Sequence, residues 1–220
     1  MLLASPWRSA ATALTAVLLI PLAGSSATAS PVTLPEPSAG WIARNELAEL
    51  VVAKPHAMTG YSPARFPHWA DLGDSCDVRE HVLMRDGNDV LRDSRCRVVS
   101  GRWLSEYDGK RLTSAGAMRV DHLVPLADAW RSGADTWPVA KRGKFANDLV
   151  APQLIAVSAT SNRAKGGRNP ARWRPPLRSF WCMYGRAWVD VKTRYKLTVT
   201  APEKTALDGM LDTCPDPQHP

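Results

Sequence analysis

The sequence predicts an α+β domain, and three patterns predict it. Short apolar runs at residues 120–126 and 153–157 read as strands; the first is cut by Pro125, and the second runs into Ser158, a residue type that caps helices. Trp181, Tyr184, Trp188 and Val191 recur near helical spacing in the tail. Four cysteines, Cys76, Cys96, Cys182 and Cys214, lack the Cys-x-x-Cys spacing of a metal knuckle and read as two disulfides.

The first 29 residues carry Arg8, an apolar stretch at 11–23 and the small-residue box Ala27-Thr28-Ala29, the layout of a secretory signal. Pro21 and Gly24 interrupt a run already too short for a membrane span. The expected product is secreted, with no membrane attachment after cleavage. It keeps 191 of the 220 residues, enough for one domain with a sizeable core and marginal for two. We expect a flexible, proline-rich leader over 30–40, one domain over 41–220, and a monomer. Among the three cysteine connectivities, Cys76 with Cys96 and Cys182 with Cys214 are preferred because each closes a local loop; each would stabilise the fold by roughly 3 kcal/mol.

Along the domain, residues 42–52 predict an amphipathic helix and 60–69 an aromatic loop. Residues 76–91 are mixed, partly helical, with a turn at Arg85-Asp86-Gly87-Asn88. Residues 97–103 and 110–113 read as strands about a Tyr107-Asp108-Gly109 turn, 126–132 and 141–148 as helices. Ser158 starts a helix carrying Asn162 and Lys165. The tail reads as two helices, the second opened by the capping box Thr200-Ala201-Pro202-Glu203. Strand, insertion, strand, helix is therefore the order around the residues that carry chemistry.

Those residues are Asp121 and His122, with Asn162 about forty positions on. A carboxylate and a neutral amide oxygen suit a hard cation, which leaves His122, with an ordinary pKa near 6.5, to take a proton from attacking water. Mg²⁺ is the expected ion, with Mn²⁺ or Ca²⁺ as alternatives. Charge supports a polyanionic substrate. Residues 141–178 hold nine basic side chains against the single acid Asp148, a local net of +8, so the rest of the mature chain sums to −2. Arg163, Lys165, Arg168, Arg142 and Arg119 are the candidate phosphate contacts. His68 is expected to be a packed loop histidine, and His56, His81 and His219 receive no role.

The phrase Asp121-His122-Leu123-Val124-Pro125-Leu126 with Trp130, then Arg142, Phe145-Ala146-Asn147-Asp148, Asn162-Arg163-Ala164-Lys165-Gly166 and Trp173-Arg174-Pro175-Pro176, resembles the His-Asn-His (ββα-metal, or His-Me finger) endonucleases. More narrowly it resembles small secreted actinobacterial members with the DUF1524 type of domain, and the likeness extends over residues 60–214. The resemblance implies a ββα-metal core with surrounding helices and hydrolysis of DNA, with RNA as a further substrate. It also implies a second-strand group that orients the imidazole. That position falls on Gln153, where relatives carry Asn, with a backbone carbonyl as the alternative. No base-reading module is present, so little sequence specificity is expected. A non-catalytic polyanion binder and a phosphodiesterase on another extracellular substrate are the competing readings.

Overall fold

In the computed structural model, residues 34–215 and Met1 are described. The expected signal, the first part of the leader and His219 lie outside the described residues. The elements run in the order α1 (Gly40–Glu49), β1 (Asp71–Gly73), β2 (Cys76–Asp77), α2 (Val78–Asp86), β3 (Gly87–Arg92), β4 (Val98–Ser105), β5 (Lys110–Ser114), β6 (Met118–His122), α3 (Leu126–Arg131), α4 (Val139–Ala146), β7 (Leu154–Ser158), α5 (Ala159–Lys165), α6 (Trp181–Tyr195) and α7 (Ala201–Leu211). The α+β class is as expected. Both disulfides, Cys76–Cys96 and Cys182–Cys214, pair as the loop argument prefers.

Among the described residues three antiparallel sheets form: β1-β2, β3-β4-β5 and β6-β7. The pair β6-β7 runs in unbroken register from Met118 opposite Ser158 to His122 opposite Leu154. It is the wall between two hydrophobic cores. On β7, Ile155 and Val157 face a core built with α1, α6 and α7, while Leu154 and Ala156 face a second core with α2, β4 and Met118. A strand buried on both faces has no polar alternation, which is why residues 153–157 read as a continuous apolar run.

Capping chemistry sets the helix starts near the site. The Ser158 hydroxyl accepts from the Ser161 N–H at 3.1 Å, and Thr200 and Glu203 form the predicted capping box of α7. Tyr184, Trp188 and Val191 are fully buried between α6 and its neighbours, as the helical spacing predicts.

Two local expectations are corrected. Arg85-Asp86-Gly87-Asn88 is no turn: α2 passes directly into β3. The Asp86 carboxylate accepts from Arg85 and from the Ala156 N–H at 2.7 Å, so the segment is fixed to β7 rather than left in solvent. The described part of the leader is also not free. Arg186 donates to Glu36 Oε1 at 2.6 Å and to the carbonyls of Pro37 and Ser38 at 2.7 Å each, holding residues 36–38 on α6. No helix among the described residues is long and apolar enough to cross a membrane.

Candidate functional site

Asp121, His122 and Asn162 line one groove of about 420 Å³, together with Tyr61, Pro125 and Gly167. Asp121 and His122 end β6, and α5 packs across both β6 and β7, so Asn162 reaches the same groove from the helix. Three residues further along α5, on the same side of the helix, Lys165 is fully buried. Its ammonium donates to Asp121 Oδ2 at 2.6 Å and to the His122 carbonyl at 2.8 Å, tying the helix to the strand end.

The Asp121 carboxylate is used unevenly. Oδ2 accepts from both Lys165 and the Tyr107 hydroxyl, the latter at 2.7 Å, whereas neither bond engages Oδ1. Burial pushes the Asp121 carboxyl up, opposed by Lys165, and pushes the Lys165 ammonium down, opposed by Asp121. Tyr107, buried against the same carboxylate, is held well above the ordinary phenol range, first by desolvation and then by the Asp121 charge, so it remains a donor.

His122 is fixed as firmly. Its Nε2 lies 2.9 Å from the Ala146 carbonyl at the end of α4. A carbonyl only accepts, so Nε2 carries the hydrogen and Nδ1 the lone pair. Trp69 stacks on the imidazole with ring centroids 5.4 Å apart and planes 25° from parallel, and His68 meets its edge at 5.9 Å. Burial pushes the His122 pKa down to about 3, with His68 and Lys165 acting in the same direction, so the ring is neutral at ordinary pH. Asn147 holds the aromatic loop in place, accepting from the Ala70 N–H at 2.9 Å and donating to the Pro67 carbonyl at 2.8 Å. Trp69 itself sits at φ 61°, a left-handed conformation that non-glycine residues adopt at a cost and that clusters at functional sites. The end of α4 thus positions the imidazole twice, by a carbonyl and by a pinned loop.

Several expected roles are corrected. Gln153 does not touch His122: it accepts from the Val124 N–H at 3.1 Å and donates to the Val124 carbonyl at 2.9 Å, clamping the chain after β6. The alternative of a backbone carbonyl holds, and the carbonyl is that of Ala146. Lys165 has no exposed surface for a phosphate. Arg142 is buried as well, donating to the Arg65 carbonyl at 2.7 Å and to the Trp137 carbonyl, over the face of Trp130. Arg119 is exposed and donates to the carbonyls of Gly116 and Met118, as exposed Arg168 donates to the Ala164 carbonyl. Arg163 and Arg168 are exposed, as a phosphate contact requires. His68, expected to be a packed loop residue, is half-buried against His122, its Nδ1 2.6 Å from the Phe66 carbonyl.

Tyr107, Ala146, Asn147 and Trp69 were not legible as site residues. The Ala146 contribution is a main-chain oxygen with no side-chain signature. Tyr107 sits in what reads as a hairpin turn. Among the described residues no three His, Cys, Asp or Glu side chains converge on one point, and the oxygen-donor side chains of Asp121 and Asn162 both line the groove. Two protein oxygens beside open groove suit a hard ion that keeps most of its water, and do not suit a closed thiolate or imidazole site.

Fold and groove define an α+β protein with two disulfides and a buried His-Asp-Lys cluster at the end of a two-stranded ribbon. The chain is 48% identical over 190 residues to a protein of Arthroderma benhamiae named "Uncharacterized secreted protein", covering 86% of this chain and 93% of that one. It belongs to the family of that secreted protein. No family model matches the chain, and no solved structure matches it.

Proposed function

We propose that this protein is a secreted, divalent-metal-dependent endonuclease that hydrolyses phosphodiester bonds of DNA, and of RNA as a further substrate, with little sequence specificity. The observation that carries the reading is His122. A neutral imidazole, held by the Ala146 carbonyl in the tautomer that leaves Nδ1 unprotonated, lines the same groove as Asp121 and Asn162. In this reading β6, β7 and α5 are the ββα-metal core that the motif resemblance implies.

His122 Nδ1 takes the proton of the attacking water, and the Nε2–H bond to the Ala146 carbonyl orients the ring and supports the imidazolium that forms. Asp121 and Asn162 would hold one divalent ion, Mg²⁺ first and Mn²⁺ or Ca²⁺ as alternatives. When bound, such an ion supplies charge for the phosphate oxygens and the departing oxygen. Lys165 and Tyr107 keep the carboxylate in place through Oδ2. Arg163 and Arg168 offer positive charge at the surface for the flanking backbone.

The competing reading is a non-catalytic polyanion binder, favoured by those same exposed arginines. Plasmid nicking by the purified secreted protein, with and without chelator, and by His122→Ala, decides between them. Cleavage that chelator and His122→Ala each abolish supports the nuclease. DNA retention without any cleavage in Mg²⁺, Mn²⁺ or Ca²⁺ would leave the binder.

A further inference from the structure

The loop over residues 60–69 brings two aromatic side chains to the site, Tyr61 near its start and Trp69 at its end. Phe66 anchors the loop between them: its ring is fully buried, 6.3 Å from Trp130 and 6.0 Å from Phe145. The buried guanidinium of Arg142 adds a polar anchor by donating to the Arg65 carbonyl at 2.7 Å. Trp69 packs on the second core and stacks on His122, whereas Tyr61 packs on the first core, edge-on to Trp130 with centroids 5.8 Å apart. The two rings therefore reach the site from opposite cores.

Hydrogen-bond donors are scarce in the groove. Of the side chains that line it, only Tyr61, His122 and Asn162 carry an N–H or O–H, and no lysine or arginine is among them. The Nε2–H of His122 is committed to the Ala146 carbonyl, and Asn162 is a proposed ligand of the ion. Tyr61 is the donor left over. The hydroxyls of Tyr107 and Tyr195 donate to Asp121 and Asp148, but that of Tyr61, half-buried at the groove, meets no acceptor among the described residues. Burial pushes its pKa up, opposed by Arg131, so the hydroxyl keeps its proton.

We propose that Tyr61 is a further catalytic residue, whose hydroxyl donates a hydrogen bond to the oxygen that departs from phosphorus, across the phosphate from the water that His122 activates. The proposal rests on the nuclease reading. Attack and departure lie roughly in line in phosphoryl transfer, so the groups that serve the two oxygens must stand on opposite sides of the phosphate. Rings that enter from opposite cores meet that demand. Negative charge grows on the departing oxygen only as its bond to phosphorus breaks, so a donor placed there strengthens in the transition state and raises kcat rather than ground-state binding.

Tyr61→Phe keeps the ring on Trp130 and removes only the hydroxyl. In the full secreted protein with Mg²⁺ or Mn²⁺, its rate on a short DNA duplex should fall about 100-fold at saturating substrate with KM unchanged, the scale of one lost donor to developing charge. The discriminating substrate is the same duplex with sulfur in place of the departing bridging oxygen, whose side the product ends identify. A thiolate departs without a donor, so at that linkage Tyr61→Phe should cleave nearly as fast as the parent. His122→Ala, which lacks the base for attack, should stay slow on both. Loss on oxygen that sulfur restores supports the role. A Tyr61→Phe rate near that of the parent on ordinary DNA overturns it and leaves the nuclease standing. Equal loss on both substrates also overturns it, because the hydroxyl would then serve the fold or the binding of substrate. A parent that cleaves neither duplex sinks the nuclease reading, and this role with it.

Discussion

Lys165 and Lys192 both end inside the protein with no exposed surface, yet their surroundings differ in kind. The Lys192 ammonium meets four acceptors: Asp128 Oδ2, Glu203 Oε1, the Ser132 hydroxyl at 3.0 Å and the Thr198 carbonyl at 2.8 Å. Burial alone would lower its pKa, but the two carboxylates more than offset this and raise it. Lys165 meets two acceptors, one carboxylate and one carbonyl, for three N–H groups, and burial prevails, lowering its pKa. A lysine surrounded by acceptors braces three segments of chain. One with fewer partners, sharing its carboxylate with an open groove, belongs to a site held ready for something else.

The largest effect should come from breaking the brace. Lys192→Met leaves Asp128 and Glu203 buried without their cation and should destabilise the protein by about 3–5 kcal/mol in urea unfolding. A loss under about 1 kcal/mol would mean that the cluster relaxes into solvent and is no brace. On the groove side the expected damage is kinetic. His122→Ala should lower the cleavage rate by about two to three orders of magnitude with the native circular dichroism spectrum retained. Turnover near that of the parent would remove His122 from the chemistry. Lys165→Met lies between them, because Asp121 lines the groove and regains water or cation there. It should lose about 1–3 kcal/mol of stability, less than Lys192→Met, together with a lower rate at saturating metal. Equal destabilisation by the two lysine variants would erase the distinction.

Acid should also act on the groove side first. His122 is buried neutral, its pKa lowered from 6.5 to about 3, so the unfolded chain binds a proton at this residue that the folded chain refuses. The stability this neutral ring permits is complete above 6.5 and declines as pH falls from there towards 3. Melting temperatures followed across that window should fall more steeply in the parent than in His122→Gln. Parallel curves would show that the imidazole is not held neutral.

Much of this arrangement was readable in the sequence, for reasons that differ by residue. That Asp121, His122 and Asn162 come together in one groove was legible from the order strand, insertion, strand, helix, with Pro125 ending the first strand run and Ser158 capping the helix. Both disulfides were legible because loop closure favours near neighbours. What failed was burial of long basic side chains. Lys165 and Arg142 sit in a run of positive charge, and only the fold shows that Asp121 neutralises the first while two carbonyls absorb the second. Gln153 was misread because an amide on the returning strand serves a backbone clamp as well as it would an imidazole. The Arg85–Asn88 segment has turn residues but takes its conformation from tertiary bonds to β7.

The smallest effect separates buried from exposed positive charge. Arg163 and Lys165 lie two residues apart on α5, but Arg163 is exposed whereas Lys165 is sealed beneath the helix. An exposed cation that meets a backbone phosphate releases about one counterion from duplex DNA, so Arg163→Ala should flatten the slope of log affinity against log salt by about 0.9 unit. Any affinity lost in Lys165→Met should instead appear equally at low and high salt, since Lys165 neutralises Asp121 and releases no counterion. Measured by fluorescence anisotropy on catalytically silent His122→Ala backgrounds, a slope change in the Lys165 variant and none in the Arg163 variant would place the DNA on another face, and the contrast between the two lysines would lose its functional half.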